Sequence, residues 1–241
     1  MSALSARLHA PLADPRLILP LDVPTRAEAE LMVERLGGAI GFYKIGYQLL
    51  ATEGMALARD LKAAGYSLFL DWKLLDIGAT VEKATAAIVG SGACDILTIH
   101  AEPQALKAAV RGRGGDKSAK ILGVTVLTSL TDADLAEIGY GLGVEALVER
   151  RIGQCLDAGA DGFIASPKEA ALARRMGGPD FLVVTPGVRP DWAGKDDQAR
   201  AVTPSGALKA GASHLVCGRP ITAADDPRAA ALRIVEEMAG V

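Results

Sequence analysis

Residues 67–73 read SLFLDWK, a short apolar run that ends in charged residues. Leu, Phe and Trp are residues that suit a β-strand. A longer Ala-rich stretch with Leu, Glu and Lys at helical spacing follows the run. A chain that repeats this order, strand and then helix, is typical of βα units in a parallel sheet.

The same pattern occurs eight times along the chain. Eight βα units in 241 residues match a (β/α)8 TIM barrel, whose functional residues lie at the carboxyl ends of the strands and in the loops after them. The alternative is a doubly wound open sheet, but residues 21–24 at the end of the first strand read LDVP and lack its GxGxxG fingerprint. The predicted strands are LILPLDV (17–23), IGFYKIG (40–46), SLFLDWK (67–73), DILTIH (95–100), ILGVTVL (121–127), GFIAS (162–166), FLVVT (181–185) and HLVCG (214–218).

Composition favours one domain. Half of the residues are hydrophobic, which is enough for one large core, although two small domains fit the same length. No change of composition, Ser/Gly linker or long run of charge divides the chain. We therefore expect a single barrel domain over residues 1–241, with residues 1–15 as an N-terminal extension.

Several helix starts can be predicted as well. Thr25 is placed to cap the helix RAEAELMVERL, and Glu28 three residues later completes a capping box. Pro103, Pro167 and Pro204 each precede Ala-, Leu- or Lys-rich stretches. Because proline lacks an N–H that the first turn of a helix does not need, we expect each of them to open a helix.

The charge balance argues against partners that need a basic surface. Lys and Arg number 26 against 29 Asp and Glu, a net charge of −3, so we expect neither nucleic acid nor a membrane as partner. Cys94, Cys155 and Cys217 show no metal-binding spacing, which favours reduced, buried thiols. Residues 1–16 contain no continuous apolar signal segment, and no run of about 18 apolar residues occurs. These features predict a cytoplasmic location.

Charged residues recur where predicted strands end. Asp22 follows the first strand, Lys44 lies in the second, and Asp71 and Lys73 lie in the third. Because side chains alternate along a strand, Asp71 and Lys73 share one face and can both point to the barrel mouth. Asp76, in the next loop, either approaches the same site or projects towards a neighbouring subunit. The simpler interpretation is a structural ion pair with Asp76 as a helix cap, but several desolvated charges at one rim favour catalysis.

A phosphate site is predicted at the other end of the chain. Residues 185–190 read TPGVRP after strand seven, and residues 217–220 read CGRP after strand eight. Barrels often hold phosphate with these two loops, through glycine backbone and arginine, although a turn with a surface arginine is the alternative. Residues 187–203 are longer than an ordinary loop, and we expect them to form a lid.

Three other polar residues follow predicted strands. His100 ends strand four, and the other histidines are too far away in sequence to suggest a metal set, so we expect a structural role and no metal. Thr128 and Ser129 follow strand five. They can bind a polar ring, or they can cap the helix TDADLAEI.

The combined motifs resemble the orotidine 5′-monophosphate decarboxylase family, over almost the whole chain. Many relatives read D-x-K-x-H-D-I-P-N-T in the core motif, where this chain has Leu75 for His and Gly78-Ala79 for Pro-Asn. Thr80 and the charged positions are retained, so we expect the chemistry to be retained. The matching motifs, in the family's order, are LDV with Asp22, YKIG with Lys44, LDWKLLDI with Asp71, Lys73 and Asp76, VTVLTS, VTPGVRP with Pro186, a downstream Gln198, and CGRPI.

This resemblance implies conversion of orotidine monophosphate to UMP in pyrimidine synthesis, by a TIM-barrel homodimer that uses neither metal nor cofactor. It implies that Lys73 protonates C6 of the pyrimidine, and that Asp76 and Thr80 reach the partner's site. The other implied roles are completion of the charge array by Lys44 and Asp71, ribose binding by Asp22 and Lys44, contact with the pyrimidine by Thr128 and Ser129, and phosphate binding by Gln198, Arg189, Gly218 and Arg219, with Pro186 beside them.

Two rival functions remain at this point. A sugar-phosphate lyase or decarboxylase of the same superfamily resembles this chain in its DxKxxD motif and phosphate site, but uses Mg²⁺. The residues 187–203, which include Gln198, favour the nucleotide enzyme. The second rival is a catalytically silent barrel that binds nucleotides or proteins.

Overall fold

A computed structural model describes residues 14–193 and 202–241, which form a closed barrel of eight parallel strands in the order β1 to β8. The predicted TIM barrel is therefore confirmed, and all eight predicted strands are present. The strands are β1 (Leu17–Pro20), β2 (Phe42–Ile45), β3 (Ser67–Leu74), β4 (Ile96–His100), β5 (Lys120–Val124), β6 (Gly162–Ile164), β7 (Leu182–Pro186) and β8 (His214–Val216).

Eleven helices surround the barrel within the described residues, and some strands are followed by two of them. The bounds are α1 (Arg26–Leu36), α2 (Tyr47–Leu50), α3 (Gly54–Ala63), α4 (Gly78–Gly90), α5 (Pro103–Arg113), α6 (Asp132–Ile138), α7 (Val144–Ala158), α8 (Ala170–Gly177), α9 (Pro204–Lys209), α10 (Arg219–Thr222) and α11 (Pro227–Ala239).

Two apolar cores result from the alternation of side chains along the strands. In β1, Ile18 points into the barrel, while Leu17 and Leu19 pack outward against the helices. The interior core fills the barrel below its carboxyl-terminal rim. Its buried members are Ile18, Phe42, Phe69, Ile96, Leu122, Val184 and Val216.

The predicted helix starts are mostly confirmed. Thr25 caps α1 by accepting a hydrogen bond from the N–H of Glu28, but the Glu28 carboxylate bonds to the Thr25 hydroxyl rather than to its N–H. Pro103 and Pro204 are the first residues of α5 and α9. The prediction for Pro167 is wrong, because α8 begins only at Ala170. The reason is a closed turn in which the carboxylate of Glu169 accepts from the N–H of Ser166, and the N–H of Glu169 donates to the carbonyl of Ser166.

An irregularity in β3 lies next to the rim. Leu70 pairs with Leu97 of β4, and Leu74 pairs with Ile99, so residues 71–73 face Thr98 alone. Such a bulge bends a strand and redirects its side chains. Within it Lys73 has a φ of +41°, and it is the one described residue other than glycine with a positive φ.

The structure bears on the predicted state of the cysteines and on membrane-spanning helices. Cys94, Cys155 and Cys217 are buried and free, as expected. No helix within residues 14–193 and 202–241 has both the length and the apolar character needed to span a bilayer. Residues 1–13 of the predicted N-terminal extension lie outside the described residues.

Close packing of α4 on α5 generates a prediction about stability. A Cβ atom on Gly112 of α5 would overlap the carbonyl of Glu82 in α4. We expect Gly112→Ala to lower the free energy of unfolding by roughly 1–3 kcal/mol, because the two helices must separate. Thermal unfolding measures the effect. Gly153→Ala is the control, since no atom lies within 4 Å of that Cβ, and equal stability of the two variants would contradict this packing.

Candidate active site

A cavity of about 370 Å³ opens at the carboxyl ends of the strands. It brings together both groups of residues that the sequence singled out, one from the first half of the chain and one from the last quarter. The candidate residues that line it are Asp22, Lys44, Asp71, Lys73, Thr128, Pro186, Arg189, Gly218 and Arg219.

Four alternating charges form a continuous chain along one wall of this cavity. The Nζ of Lys44 lies 3.1 Å from Oδ1 of Asp22 and 3.4 Å from Oδ2 of Asp71. The Nζ of Lys73 lies 2.9 Å from Oδ1 of Asp71. The Asp71 carboxylate therefore has one ammonium group on each oxygen. The predicted common face of Asp71 and Lys73 is confirmed, although a bulge rather than regular alternation produces it.

Asp71 remains ionised in this position. Burial raises the pKa of its carboxyl, but the positive charges of Lys44 and Lys73, with hydrogen bonds from Lys73 and Thr98, outweigh burial and leave the pKa below its ordinary value of 3.8. Both cations therefore keep a negative partner at neutral pH. An ammonium group held in this way is already oriented before a ligand arrives.

Gly46 makes room for the outer pair of this chain, and sequence reasoning missed it. A Cβ at Gly46 would lie 3.1 Å from Oδ1 of Asp22 and 3.2 Å from Nζ of Lys44. Any larger residue would press against both charged groups. The YKIG motif contained this signal, since a glycine two residues after a lysine at a strand end indicates a close approach of other atoms.

The cavity is also lined by two arginines that follow β7 and β8, Arg189 in a loop and Arg219 at the start of α10. Arg189 donates from Nε to the carbonyl of Ala193 at 2.8 Å, which orients its guanidinium. Gly187 has a φ of +76°, a conformation that suits glycine. A Cβ at Gly218 would lie 2.9 Å from Pro20, so only glycine fits where β8 ends. The two glycines and two arginines predicted to bind an anion therefore line one cavity, and anion binding itself stays a prediction.

Apolar residues line the cavity between its charged ends. Val124 and Ile164 end β5 and β6, and Phe69 and Val216 belong to the interior core below. Sequence reasoning did not single them out, because an apolar residue in a strand is ordinary core by default.

Four predicted site residues are not part of this cavity as described. Asp76 and Thr80 are exposed, and Asp76 accepts a hydrogen bond from the N–H of Ile77. Ser129 is exposed and does not line the cavity, whereas its neighbour Thr128 does. Gln198 lies outside the described residues, as does most of the second half of the expected lid, residues 194–201.

Two alternatives based on helix capping are wrong. Ile77 occupies the cap position of α4 and makes no side-chain cap bond, so Asp76 is not the cap. Thr131 caps α6 through a complete capping box with Asp134. Thr128 and Ser129 precede Thr131 in sequence and do not cap α6.

His100, the last residue of β4, is the remaining polar residue that the sequence singled out. Burial lowers the pKa of His100, and the positive charges of Arg151 and Lys73 lower it further, so its ring is neutral at pH 7. The described residues contain no group of three or more His, Cys, Asp or Glu arranged to hold a metal ion.

Comparison with known proteins is consistent with this geometry. A model of the orotidine 5′-phosphate decarboxylase / HUMPS family matches residues 15–234. The chain belongs to this family. An orotidine 5′-phosphate decarboxylase from Caulobacter sp. (strain K31) is 66% identical over 229 residues, covering 95% of this chain and 99% of the relative. The corresponding protein of Methylobacterium radiotolerans is 53% identical over 230 residues, covering 95% and 99%.

Solved structures of family members agree with the fold. The crystal structure of orotidine 5′-phosphate decarboxylase from Lactobacillus acidophilus superposes with a TM-score of 0.81 at 33% identity, covering 93% of this chain and 99% of that chain. This family member therefore shares the fold of the chain and 33% of its sequence.

A substitution of Lys44 tests the electrostatics of this family site. We expect Lys44→Met to raise the pKa of Asp71, because it removes a positive charge that lowers this pKa. The stabilising contribution of a carboxylate with a lowered folded-state pKa is present at neutral pH and is lost as the pH falls through that pKa. In the variant the folded-state pKa lies closer to the unfolded-state value, so the contribution at neutral pH is smaller and its loss is complete at a higher pH. Carboxyl NMR titration and acid unfolding measure both effects.

The control for this experiment is Lys62→Met, which removes a lysine paired with Asp95 at 2.5 Å, outside the cavity lining. It should leave the Asp71 titration unchanged. An Asp71 pKa that is the same in Lys44→Met and in the wild type would contradict the arrangement described above.

Proposed function

We propose that this chain decarboxylates orotidine 5′-monophosphate to UMP and CO₂, a step of pyrimidine biosynthesis. The observation that carries the proposal is the Asp22, Lys44, Asp71 and Lys73 charge chain, which shares one cavity with two arginines. Its lysines and carboxylates suit the reacting carbon, and its arginines suit a phosphate. Family membership and 66% identity to a named decarboxylase support the same reaction.

The chemistry requires a cation beside C6 of the pyrimidine. When the bond between C6 and the carboxylate carbon breaks, the electron pair stays on C6 in the plane of the ring, where the π system cannot delocalise it. The ammonium of Lys73 stabilises this charge electrostatically and then gives a proton to C6. Solvent returns the proton to the lysine. Asp71, at 2.9 Å from Nζ, holds the ammonium in place and repels the substrate carboxylate.

The remaining cavity residues would hold the rest of the nucleotide. Asp22 and Lys44 lie at the outer part of the charge chain, where ribose hydroxyls can bond to them. Thr128 is placed to meet a polar edge of the pyrimidine. The proposed phosphate ligands are Arg189, Gly218 and Arg219, with Pro186 beside them. From the family resemblance alone, we propose Gln198 as a further phosphate ligand and Ser129 as a second contact of the pyrimidine.

Phosphate binding far from C6 contributes to the rate as well as to affinity. Binding energy from a remote group can hold the loop after β7 closed over the substrate and so be expressed in the transition state. For that reason we expect loss of a phosphate ligand to lower kcat/KM, and not only to weaken binding of the product.

We further propose a homodimer in which Asp76 and Thr80 complete the site of the partner subunit. Asp76 is exposed and does not line its own cavity, and its neighbours Leu75 and Ile77 are 57% and 68% exposed. Apolar side chains at such exposure are typical of a surface that another chain covers. Free cysteines in the barrel fit a reducing compartment, and we propose a cytoplasmic location.

The proposed reaction needs no metal or organic cofactor, since Lys73 supplies the cation. An assay of orotidine monophosphate absorbance with and without EDTA separates this proposal from a Mg²⁺-dependent sugar-phosphate enzyme. We expect equal rates in both conditions. Loss of activity with EDTA and its recovery with Mg²⁺ would support the rival.

Two single substitutions test the assigned roles. We expect Lys73→Ala to abolish turnover, because no cation then faces C6, while UMP binding remains measurable by calorimetry. Near-normal turnover in Lys73→Ala would refute the proposed mechanism.

Arg219→Ala should lower kcat/KM by about 100-fold or more, because a charge-assisted phosphate contact is lost.

Mixed dimers test the contribution of Asp76. Neither Lys73→Ala nor Asp76→Asn should be active alone. When the two inactive variants are mixed and allowed to exchange subunits, each heterodimer has one site with both lesions and one intact site, so activity should recover to about one quarter of the wild type. Asp76→Asn mixed with itself is the control. Absence of recovery, with exchange verified by mass spectrometry, would show that Asp76 acts within its own subunit.

A further inference from the structure

The peptide group that joins Trp72 to Lys73 is held at both ends by side chains. Its N–H, on Lys73, donates to Oγ1 of Thr98 at 3.1 Å. Its carbonyl, on Trp72, accepts from the hydroxyl of Tyr47 at 2.9 Å. Thr98 comes from β4 and Tyr47 from α2, so two separate elements fix one peptide plane.

This peptide needs such support because it lies in the bulge of β3. Residues 71–73 face Thr98 alone, and Lys73 has a φ of +41°. A residue with a side chain avoids this region of conformational space unless its surroundings hold it there. Strain of this kind gathers at functional sites, and here it falls on the proposed proton donor.

The hydroxyl of Thr98 also reaches the side chains of the charge array. It donates to Oδ1 of Asp71 at 2.9 Å, and the same oxygen lies 2.9 Å from Nζ of Lys73. One hydroxyl therefore accepts from the backbone of Lys73 and donates to the carboxylate that holds the Lys73 ammonium. Thr98 is completely buried, and Asp71 is 27 residues away in sequence.

Tyr47 adds a contact with the same lysine. Its ring centroid lies 5.8 Å from Nζ of Lys73, within the range of a cation–π interaction. Its hydroxyl, in contrast, bonds only to the backbone carbonyl of Trp72 among the hydrogen bonds described. The two contributions can therefore be separated by removing the oxygen and keeping the ring.

We propose that Thr98 and Tyr47 are positioning residues that hold the Trp72–Lys73 peptide in its left-handed conformation and so aim the Lys73 ammonium at the reacting carbon. This inference rests on the function proposed above. Neither residue needs to touch the substrate, and neither lines the cavity. Their effect is on the rate of the chemical step, because they set the position of a group that is needed only there.

Three variants and one control test this proposal. Thr98→Val removes the hydroxyl and keeps the shape, Thr98→Ser keeps the hydroxyl, and Tyr47→Phe keeps the ring. Thr85→Val is the control, since Thr85 is equally buried in α4 and its hydroxyl has no partner among the described residues. For each variant, kcat and KM with orotidine monophosphate and the affinity for UMP are measured.

We expect Thr98→Val to lower kcat by about 100-fold, the cost of a displacement of roughly 1 Å at a reacting group, with KM and UMP affinity within about threefold of the wild type. Thr98→Ser should keep at least about a third of the wild-type kcat, because the hydroxyl is restored. Tyr47→Phe should lower kcat by about tenfold, since the ring remains near the ammonium. Thr85→Val should behave as the wild type.

Two further measurements do not depend on activity. Hydrogen exchange at the amide of Lys73 should be faster in Thr98→Val and in Tyr47→Phe than in the wild type. Carboxyl NMR should show the pKa of Asp71 raised in Thr98→Val and unchanged in Thr98→Ser. The other charged or titratable groups that face Asp71 are Lys44 from β2, Lys73 from β3 and Tyr47 from α2, and these variants leave both lysines in place.

The outcomes separate this inference from the proposed reaction. If the wild type does not consume orotidine monophosphate, the proposed function fails, while the exchange and titration data still decide whether the peptide is held as described. If the wild type is active and Thr98→Val retains kcat within about twofold, the positioning role is refuted. The positioning role is also refuted if Thr98→Ser lowers kcat as much as Thr98→Val does. Should Thr98→Val not fold, an unchanged kcat and Lys73 exchange rate in Tyr47→Phe would refute it instead.

Discussion

The Asp71 carboxylate between two ammonium groups is the interaction on which the site depends. With Lys44 at 3.4 Å on one oxygen and Lys73 at 2.9 Å on the other, it links the outer pair of Asp22 and Lys44 to Lys73. Charges removed from water are costly unless they are paired and hydrogen-bonded. The array meets this condition through alternation of sign, a hydroxyl from β4 and the small residue at position 46, which leaves space for the outer pair.

Much of the architecture could be predicted because it follows from local pattern. All eight strands were predicted from apolar runs, and the charges at their ends indicated the rim. Five of the eight predicted strands ran past the observed carboxyl ends, as at residues 21–23, because rim residues follow the strand in sequence but leave the ladder. The prediction for Pro167 was wrong because the Glu169 carboxylate accepts a hydrogen bond that closes a turn, and composition alone does not reveal this turn.

What could not be predicted from the sequence is tertiary in origin. Thr98 shares a strand face with Ile96 and His100, so its inward orientation was readable, but its bonds to Asp71 and Lys73 cross from one strand to another. The bulge is set by pairing between β3 and β4 and has no signature in the letters DWK. The direction of Asp76 was left open for the same reason, because it depends on how the chain leaves that bulge.

The left-handed backbone at Lys73 lowers stability at the place where it brings an ammonium group to the cavity. Glycine adopts this conformation without strain, whereas a residue with a side chain there costs roughly 1–2 kcal/mol. Selection for heat resistance alone would therefore favour glycine at position 73 and discard the ammonium. A search for more stable variants of this barrel that keep the ammonium should therefore leave this backbone angle alone and look for gains elsewhere.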